Sequence, residues 1–169
     1  MRKILTATLA AGALTAVGAQ AATTSTSFNV TATVQATCVA KANALNFGTY
    51  TPGGGDLKVN TSISVACTKG AIPTVSLDKG ANGATVAARA MKDPVSGNLL
   101  AYNLYQDAAF TTLFGDGSNG SSTDKLAAST GFNTAQNVTV YGWLQDSAAN
   151  QAVAPGTGYT DTVNVTVTY

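Results

Sequence analysis

The chain has 169 residues, with nine Lys and Arg against eight Asp and Glu and no histidine. It has neither the basic stripe a nucleic-acid binder needs nor the Lys/Arg cluster that holds a protein to an anionic membrane. It also lacks glutamate, and both of its cysteines are expected in a disulfide, so general acid–base and nucleophilic chemistry have little to draw on. The chain reads as a non-enzyme without a cofactor.

Met1-Arg2-Lys3, the uncharged run over residues 4–18 and the small-x-small triplet Ala19-Gln20-Ala21 read as a secretory signal over residues 1–21. The apolar stretch is short for a membrane span of ~20 residues and is diluted by Thr6, Thr8, Gly12 and Thr15. Removing it leaves seven basic and eight acidic residues and enough chain for one ordinary domain.

Residues 22–36 come next. Phe28, Val30, Ala32 and Val34 alternate with Asn29, Thr31, Thr33 and Gln35, the period of a strand that buries one face. The domain proper is expected over residues 37–169. Two cysteines in an exported chain imply a structural bridge, Cys38 to Cys67, contributing roughly 3 to 4 kcal/mol by chain entropy. Metal ligation, the rival, would need further soft or imidazole ligands, and there is no histidine.

Residues 44–50 read as extended, with Leu45 and Phe47 on one face, before the turn Pro52-Gly53-Gly54-Gly55-Asp56. Leu57, Val59, Thr61, Ile63, Val65 and Cys67 share one parity along a strand. Val75 and Leu77 mark a short one, and residues 86–91 another. Leu100, Tyr102 and Leu104 alternate next. Residues 115–122, Gly-Asp-Gly-Ser-Asn-Gly-Ser-Ser, are predicted to form a mobile loop with no means of packing itself. Val138, Val140, Gly142 and Leu144 oppose Tyr141 and Trp143, which predicts either a central strand or a surface patch. Strict alternation from Tyr159 through Val163, Val165 and Val167 to Tyr169 predicts a C-terminal strand. Short strands between turns at this density predict an all-β sandwich.

Val163 to Tyr169 has neither charge nor proline to blunt an edge, no segment follows it, and residues 24–35 are uncharged too. Only Gln35-Ala36-Thr37, a reach of about 10 Å, separates Val34 from Cys38. The N-terminal strand is therefore expected to pair in trans with another molecule. On the residues alone, pairing within its own domain stays open.

Several stretches in order carry a resemblance. They are Thr37-Cys38, Leu45-Asn46-Phe47-Gly48-Thr49-Tyr50, Ser62-Ile63-Ser64-Val65-Ala66-Cys67-Thr68, Arg89-Ala90-Met91, the run Leu100 to Ala108, Gly115-Asp116-Gly117, and Gly158 to Tyr169. The chain resembles the spore coat protein U family, which includes major subunits of archaic chaperone-usher pili. The resemblance implies an incomplete immunoglobulin-like β-sandwich, completed by the N-terminal strand of a neighbouring subunit. It implies Phe28, Val30, Ala32 and Val34 as donor residues. Val163, Val165, Val167 and Tyr169, with the segment after Cys38, would flank the acceptor groove. The implied partners are identical subunits in a homopolymer, a periplasmic chaperone and an outer-membrane usher during assembly, with a tip adhesin as an optional further one. The implied destination is a cell-surface fibre reached through the periplasm. Phe114 stands where the family often has tryptophan, and Trp143 where a basic or polar residue is common; these departures bear on surface details of the resemblance, not on the architecture. The alternative reading is a secreted monomeric carbohydrate-binding or coat protein, with Tyr102, Tyr105, Tyr141 and Trp143 offering rings to sugars.

Overall fold

A computed structural model describes residues 18, 20–156 and 158–169, so most of the expected signal lies outside the described residues. The chain divides into two compact units, residues 1–33 and 34–169. The described part of the first carries neither helix nor strand, and Phe28 and Val30 are 86% and 84% exposed. The alternation there therefore has no ladder to register against.

The second unit is an antiparallel sandwich. Its strands are β1 (Cys38–Ala42), β2 (Leu57–Cys67), β3 (Thr74–Leu77), β4 (Arg89–Lys92), β5 (Leu99–Tyr105), β6 (Asp124–Lys125), β7 (Gln136–Leu144) and β8 (Val165–Thr168). A short helix, α1 (Ala148–Gln151), follows β7. One sheet has the order β1-β2-β7-β5-β4, the other β6-β3-β8. The inward parity of each long strand supplies the core between them: Ile63, Val65 and Cys67 from β2, Val75 and Leu77 from β3, Leu100, Tyr102 and Leu104 from β5, and Val138, Val140 and Leu144 from β7. Cys38 and Cys67 are direct partners in the β1–β2 register and form the expected disulfide.

β7 lies between β2 and β5, so it is a central strand. Its second apolar face is a surface cluster as well, because Tyr141 and Trp143 pack with Tyr105 and Phe110 on the outer side of the sheet. Gly142 interrupts the inward row for a steric reason. A Cβ there would lie 2.8 Å from Leu45 Cδ1 and 3.0 Å from Phe47 Cζ, so the glycine is the notch that seats the segment after β1.

The structure also changes expectations for residues 86–91 and 115–122. The strand expected over 86–91 begins only at Arg89, because Ala88 N–H turns back to Thr85 O at 3.0 Å and leaves Val86 as a buried plug. The loop over 115–122 does pack itself: the Ser121 hydroxyl donates to Ser118 O at 2.7 Å and accepts from Gly117 N–H, and a Cβ on Gly115 would collide with Ser121. Phe114, just before this loop, is fully buried and belongs to the core.

Candidate assembly groove

The C-terminal segment changes sheets. Thr160 exchanges backbone hydrogen bonds with Lys92 of β4, and β8 then pairs with β3. Asp78 N–H donates to Asn164 O at 3.1 Å, so residues 164, 166 and 168 turn their peptide groups toward β3. In an antiparallel ladder the intervening residues face the other way. Among the described residues, Val163, Val165 and Val167 therefore present unpaired N–H and C=O groups along an open edge while their side chains stay half-buried against the core.

The opposite wall is the segment over residues 43–50. Its start is tied to β2, with Asn43 N–H on Ser62 O at 3.0 Å and the Thr61 hydroxyl shared between Asn43 O and Ala44 O. Leu45 and Phe47 then lie in the notch at Gly142. Between the walls runs a groove of about 1220 Å³ whose floor is the core itself: Ile63, Leu77, Leu100, Leu104, Val140 and Leu144. Of the four residues expected at the acceptor site, Val163 and Val165 line the groove, Val167 packs further along β8, and Tyr169 is 55% exposed. The expected donor residues Phe28, Val30, Ala32 and Val34 are all exposed.

Carboxylates hold the walls in place. Asp78 accepts from Asn164 N–H and Nδ2 and from Gly80 N–H. Burial opposes its ionisation, but these donors outweigh that and hold the carboxyl below its ordinary range. Asp161 accepts from Ala81 N–H, Asn82 N–H and the Tyr102 hydroxyl, the last at 2.7 Å. Burial, reinforced by this bond, pushes the Tyr102 phenol upward. Behind them Arg89, 1% exposed, gives its guanidinium donors to the carbonyls of Leu77, Asp78 and Val86. Its role is to satisfy backbone at the bend between β3 and β4.

Two aspartates serve local turns: Asp107 caps Thr111 and Thr112, and Asp116 caps Ser118. Asp146 reaches much further along the sequence. It accepts from the Tyr50 hydroxyl at 2.6 Å and from the N–H groups of Gly53 and Gly55, latching the far end of the groove wall to the end of β7 across 96 positions of sequence. These donors, Tyr50 first, depress its carboxyl to about 2. Burial and the same bond push the Tyr50 phenol up to about 12. A depressed carboxylate stabilises the fold at neutral pH and ceases to do so as pH falls through its folded value. Asp146→Asn is therefore expected to lower the thermal midpoint at pH 7, with the gap to the parent closing between pH 4 and pH 2 in a melting series. A constant gap would show that the latch does not titrate. Tyr50 sets the opposite limb, its contribution being lost as pH rises from 10 to 12.

A comparison with curated protein sequences finds no match. Among solved structures, the chain shares its fold with a chain of the CsuC–CsuE chaperone–tip adhesion subunit pre-assembly complex from archaic chaperone-usher Csu pili of Acinetobacter baumannii. The TM-score is 0.55 and the identity 24%, over 81% of this chain and 41% of that one, so this chain spans well under half of its neighbour's length. A model of the Spore Coat Protein U domain matches residues 24–166, most of the sequence. The chain belongs to the Spore Coat Protein U domain family.

Proposed function

We propose that this chain is a structural subunit of an exported chaperone-usher surface fibre and that it polymerises by donor-strand exchange. The observation that carries the reading is the groove: a sandwich whose core forms an open apolar floor between an unpaired β8 edge and the wall over residues 43–50. A core left open in this way is completed by an extended segment that adds main-chain hydrogen bonds to the β8 edge and alternate apolar side chains to the floor. Phe28, Val30, Ala32 and Val34 have that spacing, are exposed, and lie just before the disulfide-anchored Cys38. Each subunit in this scheme takes the strand of the next, a periplasmic chaperone fills the groove beforehand, and an outer-membrane usher exchanges the two. The neighbour from a chaperone–subunit complex of archaic pili adds support at the level of fold.

Removal of residues 22–36 from the exported chain tests the reading. The intact protein is expected to give a ladder of oligomers on unheated denaturing gels and the shortened one a monomer that still carries its disulfide. A shortened chain that polymerises as well as the intact one overturns it.

A further inference from the structure

The groove wall over residues 43–50 is fastened unevenly. Its first residue is tied to β2 twice, by the Asn43 N–H on Ser62 O and by the Asn43 amide, which donates to the Ser62 hydroxyl at 3.0 Å. From Leu45 to Tyr50, among the described residues, no peptide group bonds a strand; the Gly48 N–H turns back to the Asn46 side chain at 2.8 Å. Side chains alone hold this stretch down: Leu45 and Phe47 at the Gly142 notch and, at its end, the Tyr50 hydroxyl on Asp146 at 2.6 Å. Asp146 is itself fixed, its N–H donating to Asp56 at 2.8 Å and its carbonyl accepting from the Gln151 side chain. Backbone without a ladder opens at lower free energy than the sheets around it. The latch therefore decides whether the end of the wall stays closed.

The latch and the disulfide stand at opposite ends of the sandwich. Cys67 carries the bridge to Cys38, and Leu57 pairs with Leu144, two residues before Asp146. These are the two ends of the 11-residue β2, roughly 33 Å apart at the rise of an extended strand. The groove thus has a near mouth toward Cys38 and a far mouth lined by Tyr50, Pro52, Leu144 and Val153. A strand donated by a neighbour has its base at Val34, and Gln35-Ala36-Thr37, about 10 Å, joins that base to the neighbour's Cys38. With the base at the near mouth, the Cys38 ends of giver and receiver would lie within that reach. The same would hold for every further pair, and all subunits would crowd at one point. A head-to-tail polymer that keeps growing needs its incoming and outgoing strands at opposite ends. The base of the donated strand therefore belongs at the far mouth, beside Tyr50.

We propose that the Tyr50–Asp146 latch closes the far mouth over the base of the donated strand and sets how fast that strand leaves, an inference that rests on the exchange reading above. The base is the end on which the neighbour's sandwich pulls, so the wall must swing open at Tyr50 before Val34 can be released. Tyr50→Phe keeps the ring and removes the hydroxyl. Asn43→Ala removes a side-chain hydrogen bond from the near end of the same wall. Oligomers of the exported protein and of each variant are diluted, held at a fixed interval below the thermal midpoint of their own subunit, and sampled over time on unheated denaturing gels. Matching the interval takes any general loss of stability out of the comparison. Tyr50→Phe oligomers are expected to shed subunits about ten-fold faster than the parent, on the order of one hydrogen bond to a charged group, and Asn43→Ala oligomers at the parent rate. The inference is overturned if Tyr50→Phe dissociates at the parent rate, or if Asn43→Ala accelerates release as much, since the wall would then act as a whole. A parent that forms no oligomers overturns the exchange reading itself, and the role of the latch with it.

Discussion

Val30→Asp is expected to leave an exported, disulfide-bonded subunit that accepts a donor strand but cannot serve as one. Val30 is 84% exposed in its own chain, so the substitution removes no contact there. In the groove of a neighbour it would meet a floor of Ile63, Leu100, Val140 and Leu144. Burying Phe28, Val30 and Val34 is worth about 1.5 to 3 kcal/mol each, against an association cost of roughly 4 to 15 kcal/mol. Losing the Val30 share and placing a carboxylate in an apolar groove, a further cost of several kcal/mol, exceeds that narrow margin. The ladder on unheated gels is expected to fall by about a hundred-fold or more, since each 1.4 kcal/mol is a factor of ten. A mixing experiment separates failure to donate from failure to fold. Added to parent subunits, the variant should cap growing ends and shorten oligomers in proportion to its fraction. Full-length ladders from the variant alone sink the exchange scheme, and unchanged parent oligomers in the mixture show a groove that does not accept.

How far the fold is legible in the sequence depends on the range of the interaction. Strand parity is local: each residue's face follows from its neighbours two positions away. β2, β5 and β7 accordingly appear where Leu57 to Cys67, Leu100 to Leu104 and Val138 to Leu144 alternate. The open groove was legible for a related reason, since unblunted apolar alternation near the C-terminus needs a partner wherever it lies. The clamps on that groove were not legible. Asp146 reaches Tyr50 across 96 positions and Asp161 reaches Tyr102 across 59, and no short-range pattern distinguishes such carboxylates from those that cap turns. The structural role of Arg89 was not legible, because a buried arginine is expected to face an acid, whereas this one faces carbonyls of a bent backbone. The C-terminal strand came out shorter than its alternation because residues 160–164 are fastened to β4 and to the 78–82 bend before the ladder with β3 begins. The burial of Phe114 was not legible, because polar, glycine-rich residues follow a side chain that the fold places in its core.

Removing both cysteines as Cys38→Ala and Cys67→Ala is expected to have the second-largest effect, with a component that stability alone does not explain. The bridge closes a separation of 29 positions. Constraining the unfolded chain over that length is worth about 3 to 4 kcal/mol, a large part of the roughly 5 to 15 kcal/mol that holds a typical domain together. At a few degrees per kcal/mol for a domain of this size, the thermal midpoint should fall by about 10 to 20 °C. The location adds a mechanical consequence. Among the described residues β1 is an edge strand, paired with β2 alone, and it leads directly into the groove wall over residues 43–50. Only Gln35-Ala36-Thr37 separates Cys38 from the last donor residue, so in a fibre built by exchange the tension on a donated strand reaches Cys38 first. With the bridge present, that load passes covalently into β2 at the buried Cys67, and the β1 ladder is spared. Without it, β1 must peel from β2 before the load reaches the core. Amide exchange over residues 38–50 should therefore accelerate more than exchange in β7, and oligomers of the variant should dissociate at temperatures where its monomer is still folded. Uniform acceleration across both strands, with oligomers melting only when the monomer does, would leave the bridge a simple stabiliser without a load-bearing part in the fibre.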